Sequence, residues 1–343
     1  MSRSTNQHGP RRRLGWIVAG CAAVLVGVVS PGCDSRPPRR AVMVFIADSL
    51  ATPFAAVEKA FEEANPDLDI VREPSGSVMV ATKIASLNRK ADVIAVADYL
   101  VIENILQPKN HADWYVCFAT NEIGIAKTTA SKYGSEINAD NWFEILSRDD
   151  VTVGAGNPEH DPCGYWTELA WKLADLHYKP ETSIFERMMA KAPRKTRPSD
   201  SQQLLSRLQS AGGTDYVWVY KSQAAAHNLP FLSVPDAINL SDPASAARYG
   251  QVSIEIPKDG GTRTKRGHPI IFAITTINQS PNPEGAKRWV RFVLSDEGQR
   301  ILEANFMTVT KPPYTFNLAE VPADMRDGVV EKPKPDAPSV AAQ

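Results

Sequence analysis

Three places in this chain set a short polar residue between a strand end and a helical run. Asp48-Ser49 follows the apolar run Val42–Ala47, Gly76-Ser77 precedes a helical run from Val78, and Asp161-Pro162-Cys163-Gly164 precedes another from Tyr165. The first N–H groups of a helix lack intrahelical partners and carry partial positive charge, so such segments bind anions without a basic side chain. Serine hydroxyls beside them add donors. Taken singly, Ser and Asp are also the usual helix caps. Tyr220 closes the strand-like run Tyr216–Tyr220 and, taken alone, is as well suited to a core.

Asp161 poses the sharpest chemical question. A carboxylate about 4 Å from a unit charge costs roughly 4 kcal/mol at an effective dielectric of 20, and roughly twice that beside a dianion. In an anion site it needs a compensating role. It could accept the proton of a hydrogen phosphate, or bond directly to a centre able to expand its coordination, as Mo(VI) and W(VI) can and the sulfur of sulfate cannot. The plain alternative is a cap on the helix from Tyr165.

Catalytic signatures are missing. The chain has no GxSxG elbow, P-loop, HExxH or GxGxxG. His160, Asp161 and Cys163 lie too close in sequence for a nucleophile–base pair, whose members usually come from separate elements. The six histidines are not in zinc-ligand spacing. We expect no enzyme, no cofactor and no metal beyond a bound oxyanion.

The elements that must position these residues alternate. Strands are expected at Val42–Ala47, Leu68–Val71 and Asp92–Ala97, with helices at Thr52–Asn65 and Val78–Leu87 between them. That order indicates a parallel α/β sheet. Trp114–Ala126 is apolar over a length that suits a strand running from one lobe into another. Further strands are expected at Val151–Ala155, Tyr216–Tyr220, Val252–Ile256 and Ile270–Ile277. Helices are expected at Tyr165–Leu176 and Ser201–Gln209, and one last amphipathic helix from Ala286 to Leu302. The fold class is α/β, with two doubly wound lobes joined by a hinge: 41–118 with 270–320 as lobe 1 and 119–269 as lobe 2. The return crossing is expected near Lys258–Ile277, and 321–343 reads as a disordered Pro-rich tail.

The 343 residues are 43% hydrophobic and 22% charged, as in an ordinary globular protein. The first 33 residues hold Arg3, Arg11, Arg12 and Arg13 and no acid; removing those four charges from the net −1 leaves −5 for the rest. A mildly acidic body argues against a nucleic-acid partner. Arg11–Arg13, the apolar run Leu14–Val29 and Ser30-Pro31-Gly32-Cys33 read as a lipoprotein signal peptide (1–33) lipidated at Cys33, followed by a tether at 34–40. The alternatives are a plain cleaved signal or an N-terminal anchor. In the body only Cys117 and Cys163 remain, expected as two separate thiols.

The wording and order of these segments resemble the tungstate/molybdate-binding proteins of ABC transporters, an archaeal-type branch of the type II periplasmic solute-binding proteins. The resembling stretches include Phe45–Leu50, Val71–Val78, Lys90–Tyr99, Ala112–Ile123, Asp140–Leu146, Asn157–Tyr165 and Asp215–Ser222, within Ala41 to about Phe316. The resemblance implies a type II periplasmic binding protein fold and oxyanion contacts at Ser49, Ser77, Asp161, Pro162, Cys163 and Tyr220. A further contact, a carboxylate in the relatives, falls on Gln202, with Asp200 as the other candidate. Asp48 stands where glycine is usual and brings a negative charge to the site unless its side chain turns away. The implied partners are molybdate or tungstate, a transporter permease and, through Cys33, the membrane, with the protein a monomer on the periplasmic side. Phosphate or sulfate binding, and an oxyanion-sensing lipoprotein that feeds no transporter, are the alternatives.

Overall fold

The computed structural model describes residues 39–258 and 260–334. The expected signal peptide with Cys33, residues 34–38 of the tether and 335–343 of the tail lie outside the described residues.

The chain runs β1 (Arg40–Ala47), α1 (Ala51–Ala64), β2 (Leu68–Ser75), α2 (Ser77–Ala85), β3 (Val93–Val96), β4 (Val116–Thr120), β5 (Ile123–Lys127), α3 (Trp142–Ser147) and β6 (Val153–Gly154). It continues with α4 (Pro162–Tyr178), α5 (Ile184–Lys191), α6 (Ser201–Gln209), β7 (Tyr216–Tyr220), α7 (Lys221–Ala226) and β8 (Phe231–Leu232). Then come α8 (Asp236–Asn239), α9 (Ala246–Tyr249), β9 (Ser253–Lys258), β10 (Gly261–Arg266) and β11 (Ile271–Thr276). The last elements are α10 (Pro283–Leu294), α11 (Asp296–Ala304), β12 (Thr308–Thr315) and β13 (Val330–Glu331).

A seven-stranded sheet has the order β13-β12-β4-β11-β3-β1-β2, and a four-stranded sheet the order β6-β7-β5-β8. β1 pairs in parallel with both β2 and β3, as βαβ units require. Helices cover both faces of the large sheet, so alternate β1 residues enter different cores. Val44 and Ile46 pack with Phe54 and Phe61 of α1 and Trp289 of α10, whereas Phe45 packs with Val80 and Ile84 of α2. The small sheet is sandwiched likewise: Tyr216, Trp218 and Tyr220 face the side of α4, and Val217 and Val219 face Leu204, Leu205 and Leu208 of α6. This is the mixed α/β architecture the strand–helix alternation implies.

The apolar stretch Trp114–Ala126 passes from one sheet to the other, but as two strands. β4 ends at Thr120 and β5 starts at Ile123, because Asn121 leaves the ladder: its Nδ2 donates to Ser222 Oγ at 2.6 Å and its Oδ1 accepts from Glu122 N at 3.0 Å. The chain returns to the large sheet through the β9–β10 hairpin and β11. Two expectations need correction. The last amphipathic helix is two helices, since Ser295 leaves the helical conformation and caps α11, its Oγ accepting from Gly298 N at 3.2 Å. The expected tail from 321 takes structure as far as 334: Val321 and Met325 are buried, and β13 adds to β12 at the sheet edge.

A buried polar cluster ties the two sheets' surroundings together. Asp98, just past β3, accepts from the Tyr165 hydroxyl of α4 at 2.6 Å, pairs with Lys265 of β10, and lies 3.5 Å from His268 Nε2. Burial alone would raise the Asp98 carboxyl, but Lys265, His268 and Tyr165 outweigh it and hold it below its ordinary value. Burial, reinforced by Lys265, pushes His268 down to about 4, so it is neutral at physiological pH.

Candidate functional site

Register sets the site. Ala47, the last residue of β1, pairs with Ser75, the last of β2, so Asp48-Ser49 and Gly76-Ser77 leave the sheet side by side at its carboxyl edge. This edge is where ligands bind in open α/β sheets. Asp48–Leu50 form one 3-10 turn that continues into α1, and Ser77 is the first residue of α2. Both serines are buried. Ser77 Oγ accepts from Ala97 N at 3.0 Å, which leaves its hydroxyl proton to donate elsewhere. Ser49 Oγ is buried without a hydrogen-bond partner.

The second wall comes from the small sheet. After β6 the chain loops through Gly156–His160 to Asp161, which caps α4. Its Oδ1 accepts from Cys163 N at 3.0 Å, and its Oδ2 accepts from Ser201 Oγ at 2.6 Å. The cap reading of Asp161 is therefore geometrically true. It does not exhaust the group, because a carboxylate has about four acceptor positions and these bonds use two. The walls touch at Gly76: a Cβ there would lie 2.3 Å from the His160 carbonyl oxygen and 3.3 Å from Asp161 Cα. Only glycine permits that approach, so the start of α2 and the start of α4 converge.

Pro162 and Cys163 open α4, both buried, with Cys163 Sγ 3.7 Å from the Trp218 carbonyl oxygen. Cys117 and Cys163 are free thiols, and burial raises both. Tyr220 ends β7 on the face toward α4; its hydroxyl is buried and unpartnered, and burial, with Cys163 and Asp161 adding to it, raises its ionisation well above the ordinary value.

The two acids differ. Asp48 does not turn out to solvent: it is 7% exposed, and its Oδ2 is buried and unpartnered. Burial, followed by the negative charges of Asp161 and Asp200, pushes its carboxyl up to about 8, against an opposing pull from Lys83. Asp161 is pushed up only to about 6: burial raises it, while the Ser201 hydroxyl and Cys163 N–H stabilise its charge. At neutral pH the pair holds one carboxylic acid and one carboxylate, a separation imposed by environment.

α6 adds a residue that the sequence did not single out. Ser201 binds Asp161, whereas Gln202 is half-buried at the next position of α6. Asp200 is used as the cap of α6, accepting from Gln203 N at 2.9 Å. Sequence reasoning missed Ser201; the available signal was a hydroxyl at the first turn of a helix adjoining the Gln202 position. Its placement rests on a buried ion pair upstream. Arg197 Nη1 bonds Glu168 Oε1 of α4 at 2.7 Å, and Arg194 Nε bonds the same oxygen at 2.8 Å. Those bonds pin 194–197 to α4 and deliver α6 to Asp161.

Among the described residues no group of His, Cys, Asp and Glu could hold a metal ion, and no helix is long and apolar enough to cross a membrane. Ser49 Oγ, Asp48 Oδ2 and the Tyr220 hydroxyl are thus each buried without a partner, and the Asp161 charge acts on both Asp48 and Tyr220. Such an arrangement offers donors to a small oxyanion and one oxygen ligand to its central atom.

Comparison with known proteins agrees with this reading of the fold. The chain is 40% identical to an uncharacterised solute-binding protein of Petrotoga mobilis, over 83% of this chain and 89% of the relative. It is 38% identical to a molybdate/tungstate-binding protein of Thermococcus kodakarensis, over 93% of this chain and 97% of that one. Among solved structures, the periplasmic molybdate-binding protein of Azotobacter vinelandii superposes with a TM-score of 0.57 at 13% identity, covering 79% of this chain and all of the other. The sulfate-binding protein SubI of Mycobacterium tuberculosis gives the same TM-score and identity, over 85% and 94%. At such identities the two structures speak for the fold alone. The family model for bacterial extracellular solute-binding proteins matches residues 42–308, and the chain belongs to that family.

Proposed function

We propose that this protein binds molybdate or tungstate outside the cytoplasm and delivers it to the permease of an ABC transporter, without catalysing a reaction. The observation that carries this is the pair of buried, unpartnered hydroxyls of Ser49, beside the start of α2, and Tyr220, within the field of the Asp161 carboxylate at the start of α4. Ser49, Ser77 and Tyr220 donate to the oxyanion, and Pro162 and Cys163, which open α4, line it. Asp161 bonds the metal centre, raising its coordination above four. Gln202, beside Ser201, completes the wall from α6. The names of relatives at 38% identity support this ligand class. The bulk of the chain is acidic, so affinity comes from these local donors.

Calorimetric titration of the protein with molybdate, tungstate, sulfate and phosphate tests the proposal. Binding of the first two in preference to the others is expected; preference for sulfate or phosphate contradicts it. We further propose that the protein is a monomer held to the membrane through lipid on Cys33. Mass spectrometry of the mature chain should find a diacylglyceryl adduct on an N-terminal Cys33, and an unmodified N-terminus elsewhere would refute the anchor.

A further inference from the structure

We infer that Asp48 is itself an oxyanion-contacting residue that works as a carboxylic acid, its Oδ2 proton held against a ligand oxygen, so that each bound oxyanion is accompanied by one proton on the protein. The inference rests on the oxyanion reading proposed above and adds a residue and a pH dependence to it. Asp48 directly follows β1 in the same turn as Ser49, at the edge where α2 begins, and it is 7% exposed. Oδ2 is buried and has no hydrogen-bond partner, like the neighbouring Ser49 Oγ. A buried polar atom without a partner is destabilising, and an oxygen of a ligand seated at Ser49 would satisfy it.

Charge then decides the protonation state. The groups around the turn are Asp161 before α4, Asp200 at the cap of α6, Lys83 on α2, Arg72 and Glu73 on β2, Glu58 on α1 and Arg207 on α6. The cations are engaged: Lys83 Nζ lies 2.7 Å from Glu73 Oε1, Arg72 pairs with Glu58 and donates to the Ala51 carbonyl at 2.9 Å, and Arg207 donates to the Thr196 carbonyl at 3.0 Å. What raises Asp48 is mainly the loss of water and then the field of two acids, and its carboxyl is pushed up to about 8 before any ligand arrives. An ionised Asp48 would repel a dianion and offer it no donor. A protonated Asp48 gives a hydrogen bond to a charged acceptor, among the stronger kinds.

The sign of the pH dependence follows. A dianion beside Asp48 raises its carboxyl further, so the complex holds the proton more tightly than the free protein. Between about 7 and about 8 the proton is already largely present and affinity changes little. Above about 8 each binding event takes a proton from solvent, and affinity falls about tenfold per pH unit. Asp161 titrates near 6 and leaves this window clear. The carboxamide of Asp48→Asn keeps a donor at the same place and has no proton to lose.

The test is calorimetric titration of the full chain with molybdate across about pH 7 to about pH 9.5, for wild type and Asp48→Asn. At the alkaline end it is repeated in two buffers of different ionisation enthalpy to count protons. Wild type should weaken roughly tenfold per unit above about 8 and take up close to one proton per molybdate. Asp48→Asn should show a level profile and no uptake. A wild-type profile that stays level, with no proton taken up, overturns the inference and leaves the oxyanion reading intact. Failure of wild type to bind molybdate or tungstate at any pH overturns both. Proton uptake is read on wild type alone, so the test holds if the variant does not fold.

Discussion

Asp161 receives a hydrogen bond on each carboxylate oxygen, from Cys163 N and from Ser201 Oγ, and both fix where the group points. Its role can be separated from capping by one substitution. Asparagine caps helices as well as aspartate does, so a pure cap would let Asp161→Asn bind as wild type. If Asp161 bonds the metal centre, the amide weakens molybdate and tungstate strongly and admits sulfate, because a repulsion of up to roughly 8 kcal/mol toward a dianion is removed. Titration of both proteins with molybdate and sulfate reads the difference. Unchanged affinity and selectivity would reduce Asp161 to a cap. At this scale position was legible where it was tied to a strand end: Ser49 and Ser77 follow β1 and β2 and Tyr220 ends β7, whereas Asp161 lies beyond the loop after β6 and is placed as the cap of α4. Position was not legible where the contact depended on helix rotation. Ser201, one residue before Gln202, meets Asp161 only through the way α6 packs.

Helix placement depends in turn on a few buried ties. α6 is brought to the site by the segment that follows α5, and that segment is held by the Glu168 carboxylate, which is fully buried between Arg194 and Arg197. Removing Arg197 leaves the buried Glu168 with Arg194, so the cost falls below the about 3–5 kcal/mol of an uncompensated buried charge. Arg197→Met should therefore destabilise the protein by about 1.5–3 kcal/mol in denaturant unfolding. It should also weaken oxyanion binding, because Ser201 would no longer be presented to Asp161. A stability loss under about 1 kcal/mol would show that Arg194 alone holds the segment. None of this was readable beforehand. Arg197 and Glu168 are 29 residues apart, and no local pattern marks their pairing. Strands were far more legible, since Val42–Ala47 and Tyr216–Tyr220 alternate between two covered faces of a sheet and so read as continuous apolar runs. The break at Asn121 and the stop at Ser295 were invisible in the apolar pattern because each depends on a side-chain bond rather than on periodicity.

For the whole molecule, the account depends on two sheets presenting their strand ends to one another. The chain crosses between them at Asn121-Glu122 and returns after β10, while Gly76 against His160 and Asp98 with Lys265 and Tyr165 tie elements from the two sides together. The architecture was legible because strand–helix alternation and the long apolar crossing are properties of many residues at once. The central claim is that this meeting place holds molybdate or tungstate. Anomalous diffraction from crystals grown with molybdate, recorded at the molybdenum edge, locates the metal directly. The account predicts one strong peak among Ser49, Ser77, Asp161 and Tyr220, at bonding distance from an Asp161 oxygen; a peak elsewhere, or none, would contradict it.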